Sequence, residues 1–382
     1  MVTRLRPFQL LTVSFVIAVF ILCLLTALPH APYIRYQQLA SESLHYQRAK
    51  WIYERIHFDT TPIDIAFIGT SHTQSGINSA LVEATLTAHG DGRKVVNFAV
   101  PHLGRDLQYL VGRELLNSRK VDTLVIEVQQ TESRAPHPGF QRLADVSDIL
   151  VTPIFINTGV VDNLARLPMR QLDLFLKTIW PNWFGFTTVF NPKNYDGAHF
   201  DDTYRLHGTV TPRTDIHPRS YFEKDLKKIR DEIKQKEQLA KKVEIDFISD
   251  NPLYRYNNIY FRDLLTLAEQ HSVKVVFMYL PFLGADPEPV NRDLLEGRGR
   301  LVLPTTILTD EKLWQNADHL NFYGAQVLSL SLANSLARKV FLAVKVATAY
   351  DRDHHSWVVS VEYAHIRFLR TLVNLQLKEY RK

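Results

Sequence analysis

Between Phe8 and Leu28 the chain carries no charged side chain, and Gln9, Thr12, Ser14 and Thr26 are the only polar ones. As a helix rising about 1.5 Å per residue, a run of this length crosses a hydrocarbon core of roughly 30 Å. Such a segment leaves a short N-terminal stub, residues 1–7, on one side and the whole remaining body on the other. Arg4, Arg6 and the amino terminus precede it, and the next Lys or Arg is Arg35. The positive-inside rule then puts the stub in the cytoplasm and the body outside. Two alternatives compete. A cleaved signal peptide has a shorter apolar core, about 7–15 residues, and weak small-residue sites beside Pro29 argue against cleavage. A buried core helix rarely sits at a chain terminus. The sequence therefore predicts an uncleaved signal anchor over 8–28, making this a single-pass inner (cytoplasmic) membrane protein embedded in the lipid bilayer. The single cysteine, Cys23, lies inside that span, so the exported body has no thiol to oxidise and no disulfide framework.

The body is globular in composition, with 22% charged residues in 382. Net charge is only +5, and the basic residues are scattered among 40 acidic ones, so nucleic-acid binding has no compositional support. Residues 29–58 read as a juxtamembrane segment, with a helix leading into the domain. Short strands and helices then alternate: a strand at 63–68, a helix at 77–88, a strand at 95–98, a helix at 105–117 and a strand at 122–128. The last has apolar residues on both faces, as a buried parallel strand requires. Residues 133–250, rich in aromatics and Pro with a charged helix near 221–242, break the pattern and read as an insertion. Alternation resumes with a helix at 258–271, a strand at 273–279, a loop region to about 316 and a long helix from 322 to 346. This is an α/β pattern with an open parallel sheet over 59–347. A C-terminal extension, 348–382, holds a β-like run at 357–361 and a basic helix whose charges read as a solvated face.

Ser71 stands just past the first strand and opens a helix. That is the carboxyl edge where open α/β sheets bind ligands, and the helix N-terminus favours an oxyanion. Gly69 permits the turn. Ser71 with Gln74 also spells a capping box, which needs no catalysis. Near the other end, Asn316-Ala317-Asp318-His319-Leu320-Asn321 precedes the last long helix, on a loop expected at the same edge. His319 there would take the serine proton while Asn316 or Asp318 holds its tautomer. The bland alternative is an N-cap with a surface histidine.

These two blocks, Gly69-Thr70-Ser71-His72 and Asp318-His319-Leu320-Asn321-x-x-Gly324-Ala325, resemble those of the SGNH (GDSL-type) hydrolase superfamily. The likeness is to its membrane-anchored extracytoplasmic branch, which includes the alginate O-acetylation proteins and the teichoic acid D-alanylation protein. The strand ending in Pro281 fits the same pattern. The resemblance implies a flavodoxin-like three-layer fold with Ser71 as nucleophile and His319 as base. It also implies a multi-spanning membrane-bound O-acyltransferase as partner and a polysaccharide as substrate. The chain departs from the family in three places. Asn316 stands where the triad acid is expected. His102 stands where the oxyanion glycine is expected, with Gly104 two residues on. Gln129-Gln130 replaces the usual Gly-x-Asn, leaving Gln129 or Gln130 as a substitute amide donor beside the Ser71 amide. Each lost oxyanion donor typically costs about 2.7–4 kcal/mol of transition-state stabilisation.

The leading expectation is an O-acyltransferase modifying a cell-envelope or secreted polysaccharide. The rivals are an esterase of the same glycans and a binding or assembly subunit that has lost the chemistry. No cofactor is expected, since no phosphate-binding glycine loop follows the first strand. Nor is a metal: the consecutive residues Asp351-Arg352-Asp353-His354-His355 cannot converge on one ion. Asp201, Asp202, Asp225 and Glu232 read as surface charge. The aromatics Tyr254, Tyr256 and Tyr260, and Trp180, Trp183, Phe184 and Phe186, read as sugar-stacking platforms or, more simply, as core or membrane-proximal packing.

Overall fold

The computed structural model describes residues 7–129, 136–152, 159–195, 197–201, 230–235, 252–289, 292–337, 346–351 and 356–361. Helix α1, Pro7–Thr26, buries none of its residues and is long and apolar enough to cross a membrane. The body is α/β. Five strands, β1 (Ile65–Ile68), β2 (Val95–Asn97), β3 (Thr123–Val128), β4 (Lys274–Tyr279) and β5 (Arg300–Val302), form one sheet in the order β2-β1-β3-β4-β5. Every pairing in it is parallel.

Apolar residues fill both faces of this sheet, which is why the strands read as continuous apolar runs. In β1, Ala66 and Ile68 enter one core, while Ile65 and Phe67 enter the other. The first core also takes residues of α2 (Pro32–Glu42), α3 (Arg48–His57) and α6 (Arg105–Ser118). The second takes residues of α5 (Ser79–Ala88) and, from the end of the chain, Leu328, Leu332 and Leu336. The expected juxtamembrane helix is thus two helices, and they are core elements. Trp51, Ile52 and Ile56 are each 1% exposed, and burying such side chains contributes roughly 1.5–3 kcal/mol apiece. Arg48 reaches from α3 to donate to Asn97 O at the end of β2 at 2.6 Å.

Several boundaries differ from the sequence reading. The helix expected at 77–88 is α5, and a separate short helix, α4 (Ser71–Gly76), precedes it; Asn78 caps α5 by accepting from Leu81 N at 3.0 Å. The region read as loop before 316 contains β5, a three-residue edge strand. Of the charged helix at 221–242, only 230–235 is described, and it is helical. The helix expected at 258–271 begins earlier, as α7 to α9 (Phe140–Leu143, Val146–Val151, Val160–Ile179) are followed by α10, Pro252–Gln270. The last long helix, α11 (Phe322–Leu336), stops ten residues short of 346. The guanidinium of Arg93 captures its Leu336 carbonyl at 2.6 Å. Val346–Asp351 is instead a strand, paired antiparallel with Ser356–Val361. Asp201 is no surface charge: it is 6% exposed and meets Arg55 at 3.4 Å. Tyr260 is a core residue, whereas Trp180 and Trp183 are exposed. Residues 202, 225, 352–355 and 362–382 lie outside the described residues.

Candidate active site

The site forms where β1 ends. Thr70 is extended and caps α4, its hydroxyl accepting from His72 N at 3.2 Å. Ser71 is therefore the first helical residue, not the cap, and its hydroxyl is released for other work. The capping-box alternative does not describe this turn.

Beneath the turn lies Glu127, fully buried as the last residue but one of β3, a strand otherwise apolar but for Thr123. Its carboxylate accepts from Thr70 N at 2.8 Å, Thr70 Oγ1 at 2.9 Å, Thr73 N at 3.2 Å and Thr73 Oγ1 at 2.5 Å. Gln129 Nε2 donates to it as well. Burial alone pushes this carboxyl up, but the charge interaction with His72 and the hydrogen bonds from Thr73, Thr70 and Gln129 hold it below the usual range. An anion is thereby fixed at the positive end of α4 and stitches the Ser71 turn to the sheet. From the other side, Asn97 Nδ2 donates to Thr73 O at 3.0 Å.

These bonds use up the amides of the first turn. Thr70 N and Thr73 N go to Glu127, His72 N to Thr70 Oγ1 and Gln74 N to Thr70 O. Within 70–74 only the Ser71 N–H meets no acceptor among the described residues, as an oxyanion donor requires.

The loop 314–320 is folded tightly, with Trp314 bridged to Leu320 and Gln315 N donating to His319 O at 2.8 Å. Asn321 caps α11, accepting from Tyr323 N and Gly324 N at 3.0 Å each. Cap and histidine are thus separate residues, and the histidine faces the first turn: His319 Nε2 lies 2.8 Å from Ser71 Oγ. On the far side of the ring, Asn316 Oδ1 lies 3.1 Å from Nδ1. That oxygen also accepts from Asp318 N at 3.0 Å and His319 N at 2.7 Å. Two backbone donors identify the atom as the amide oxygen, so the ring nitrogen beside it carries the proton. Nε2 is then left with its lone pair toward the serine hydroxyl. Of the two candidates at Nδ1, Asn316 fills the position, while Asp318 supplies a backbone donor to the same oxygen.

Nothing matches this sequence among protein-family models or curated proteins.

The remaining expected residues divide. Val100 N donates to Gly69 O at 3.0 Å, which lays the loop of His102 and Gly104 beside the Ser71 turn. His102 is left-handed at φ 75°, and Gly104 has φ 147°. A Cβ on Gly104 would meet His137 Cβ at 2.5 Å and Asp106 Oδ1 at 2.8 Å, so the position requires glycine. Gln129 does not face the serine: its amide is spent on Glu127 and, at 3.0 Å, on Thr70 Oγ1. In this arrangement its amide braces the turn from beneath.

Three further residues matter to this geometry, of which Glu127 and His137 lie outside the sequence reading and His72 lies in its first block. Glu127 was readable as the one acid inside Thr123–Val128. His72 brings a second imidazole, ring centroid 5.3 Å from that of His319, with its Nδ1 3.2 Å from Leu280 O at the end of β4. His137 clamps the neighbouring loop, Nε2–H donating to Pro101 O at 2.6 Å while Nδ1 accepts from Gly139 N at 2.9 Å. No signal in the sequence marks His137. Among the described residues no group of three or more His, Cys, Asp or Glu could hold a metal ion.

Proposed function

We propose that this chain is a membrane-anchored, extracytoplasmic O-acyltransferase of the SGNH type, with α1 as its anchor. Its acceptor would be a cell-envelope or secreted polysaccharide. The observation that carries the reading is the relay Ser71 Oγ–His319 Nε2 and His319 Nδ1–Asn316 Oδ1, at 2.8 and 3.1 Å. Parallel α/β topology with the serine at the sheet's carboxyl edge supports a flavodoxin-like, SGNH-like fold.

In this reading Ser71 Oγ attacks an acyl carbonyl as its proton passes to His319 Nε2. The Ser71 N–H stabilises the oxyanion, and His319 returns the proton to the departing alcohol. A sugar hydroxyl then attacks the acyl-serine, losing its proton to His319, and Ser71 recovers that proton as the acylated sugar leaves. Asn316 orients the ring through both steps without supplying the negative charge a carboxylate would bring to the imidazolium. An upstream multi-spanning acyltransferase would deliver the acyl group, and the anchor keeps the serine close to that donor.

One observation favours a second reading, a binding or assembly subunit. Gln129, the residue at the usual amide-donor position, is bonded away. Purified full chain given p-nitrophenyl acetate, with and without acidic or neutral polysaccharides, separates the possibilities. Nitrophenol release that rises with glycan and yields acetylated glycan supports transfer. Release into water without glycan supports the esterase, and no release from wild type or from Ser71→Ala supports the binding subunit.

A further inference from the structure

Helix α9 exposes a row of apolar side chains to solvent. It buries Val160, Leu167, Pro168 and Leu174 together with Asn163, Arg170 and Gln171. On the outer side Val161 is 77% exposed, Leu164 37%, Met169 62% and Ile179 47%. The outer side of a helix on a water-facing surface is ordinarily polar. The charged row bordering this stripe is internally neutralised, with Arg166 to Asp162 and Lys177 to Asp173 each at 2.6 Å. Beyond the helix the stripe runs into Trp180 and Trp183. Their rings stack at 5.9 Å and are 47% and 83% exposed.

The position of this stripe says what covers it. Ala31 N, five residues past the end of α1, donates to Thr178 Oγ1 in the last turn of α9 at 3.0 Å. Helix α9 also packs against α1, yet every α1 side chain from Phe8 to Leu24 is exposed and only Leu25 and Thr26 are partly covered. The contact is therefore with the end of α1, and α9 does not run down its length. The exposed tryptophans sit where the chain leaves the apolar helix, the level at which Trp concentrates in membrane proteins. An apolar stripe edged by charges is the pattern of a helix lying in the interfacial layer.

We propose that α9 and the Trp180–Trp183 turn form a second membrane contact, lying in the headgroup–acyl boundary of the bilayer that α1 spans. The inference rests on reading α1 as a membrane span. With two contacts instead of one flexible tether, the body is held at a fixed tilt, and the Ser71 edge keeps a constant orientation to the lipid surface.

Tryptophan quenching tests this with Trp357 replaced by Phe in every protein compared, because α1 contains no Trp and the Trp51 and Trp314 rings are buried in the body. The full chain is reconstituted into phosphatidylcholine vesicles with no other protein, using acyl chains brominated near the headgroup. The same is done with the Trp180→Tyr/Trp183→Tyr variant. Bromolipid is expected to lower wild-type emission by roughly a third and the variant's emission by about a tenth or less, with the wild-type pair shielded from aqueous iodide. Equal bromolipid quenching in both proteins, or iodide quenching of the pair, would overturn the proposal. A carbonate wash separates the two levels. A chain released by carbonate overturns anchor and second contact together. A chain retained but unquenched overturns only the second contact and leaves the stripe to a protein partner.

Discussion

Lowering the pH should loosen the loop beside the nucleophile by a calculable amount. His137 is 2% exposed and hydrogen-bonded as a neutral ring, donating to Pro101 O and accepting from Gly139 N. Burial, opposed by the Pro101 bond and aided by the charge of His102, lowers it from 6.5 to about 4. Protonation would put a second N–H against the Gly139 N–H. Between those two values the unfolded chain binds a proton that the folded chain refuses, so stability rises with pH through the window and falls as pH drops. Linkage gives a loss of about 2 kcal/mol from pH 7 to pH 5 and about 3 kcal/mol by pH 4. The assay is urea unfolding of the full chain in detergent across that range, beside His137→Gln. His30 is also lowered to about 4, chiefly by burial and then by Arg35, and titrates in the same window. The difference between wild type and variant isolates His137. An identical pH slope in the two proteins would refute the reasoning.

Other perturbations follow from the same contacts. Asn316→Ala removes the acceptor for three donors, two of which fix the loop, and should slow acyl-enzyme formation by about 100-fold. Asn316→Asp, which keeps that acceptor, should stay within about tenfold; a stopped-flow burst measurement distinguishes them, and equal rates for the two would count against the orienting role. Glu127→Ala strands the buried N–H groups of Thr70 and Thr73, at about 1–3 kcal/mol each. Its unfolding midpoint in urea should drop accordingly, and an unchanged midpoint would contradict the anchoring role. Gly69→Ala drives a Cβ into Thr73 Oγ1 and Glu127 Oε2. Since the turn must shift two residues before Ser71, turnover should fall by roughly 100-fold with the protein still folded by circular dichroism.

The strand–turn–helix at Ser71 and the histidine before α11 were legible because each has a local signature. Ile65–Ile68 is uniformly apolar and ends at a glycine, and Asn321 caps a long apolar helix. Glu127 lay in view but reads only as one acid in a strand, since its partners Thr70 and Thr73 are 57 and 54 residues away. For the same reason the sequence does not show that Glu127 holds the amide of Gln129, one residue past β3. The end of α4 is marked by Gly76, its last residue, and the start of α5 by Asn78. The core role of α2 and α3 was hidden by Arg35, Arg48 and Arg55, which read as surface residues but are buried through hydrogen bonds to carbonyls and acids. Outward-facing leucines on α9 look like core leucines until the fold shows which side is inside.

The serine–histidine relay is tested most directly by active-site labelling of the full chain with a fluorophosphonate, followed by peptide mapping. Modification is expected at Ser71 alone, fast in wild type and at least about 100-fold slower in His319→Ala. Wild-type protein that takes no label, or a labelling rate at Ser71 that ignores the loss of His319, would contradict the account.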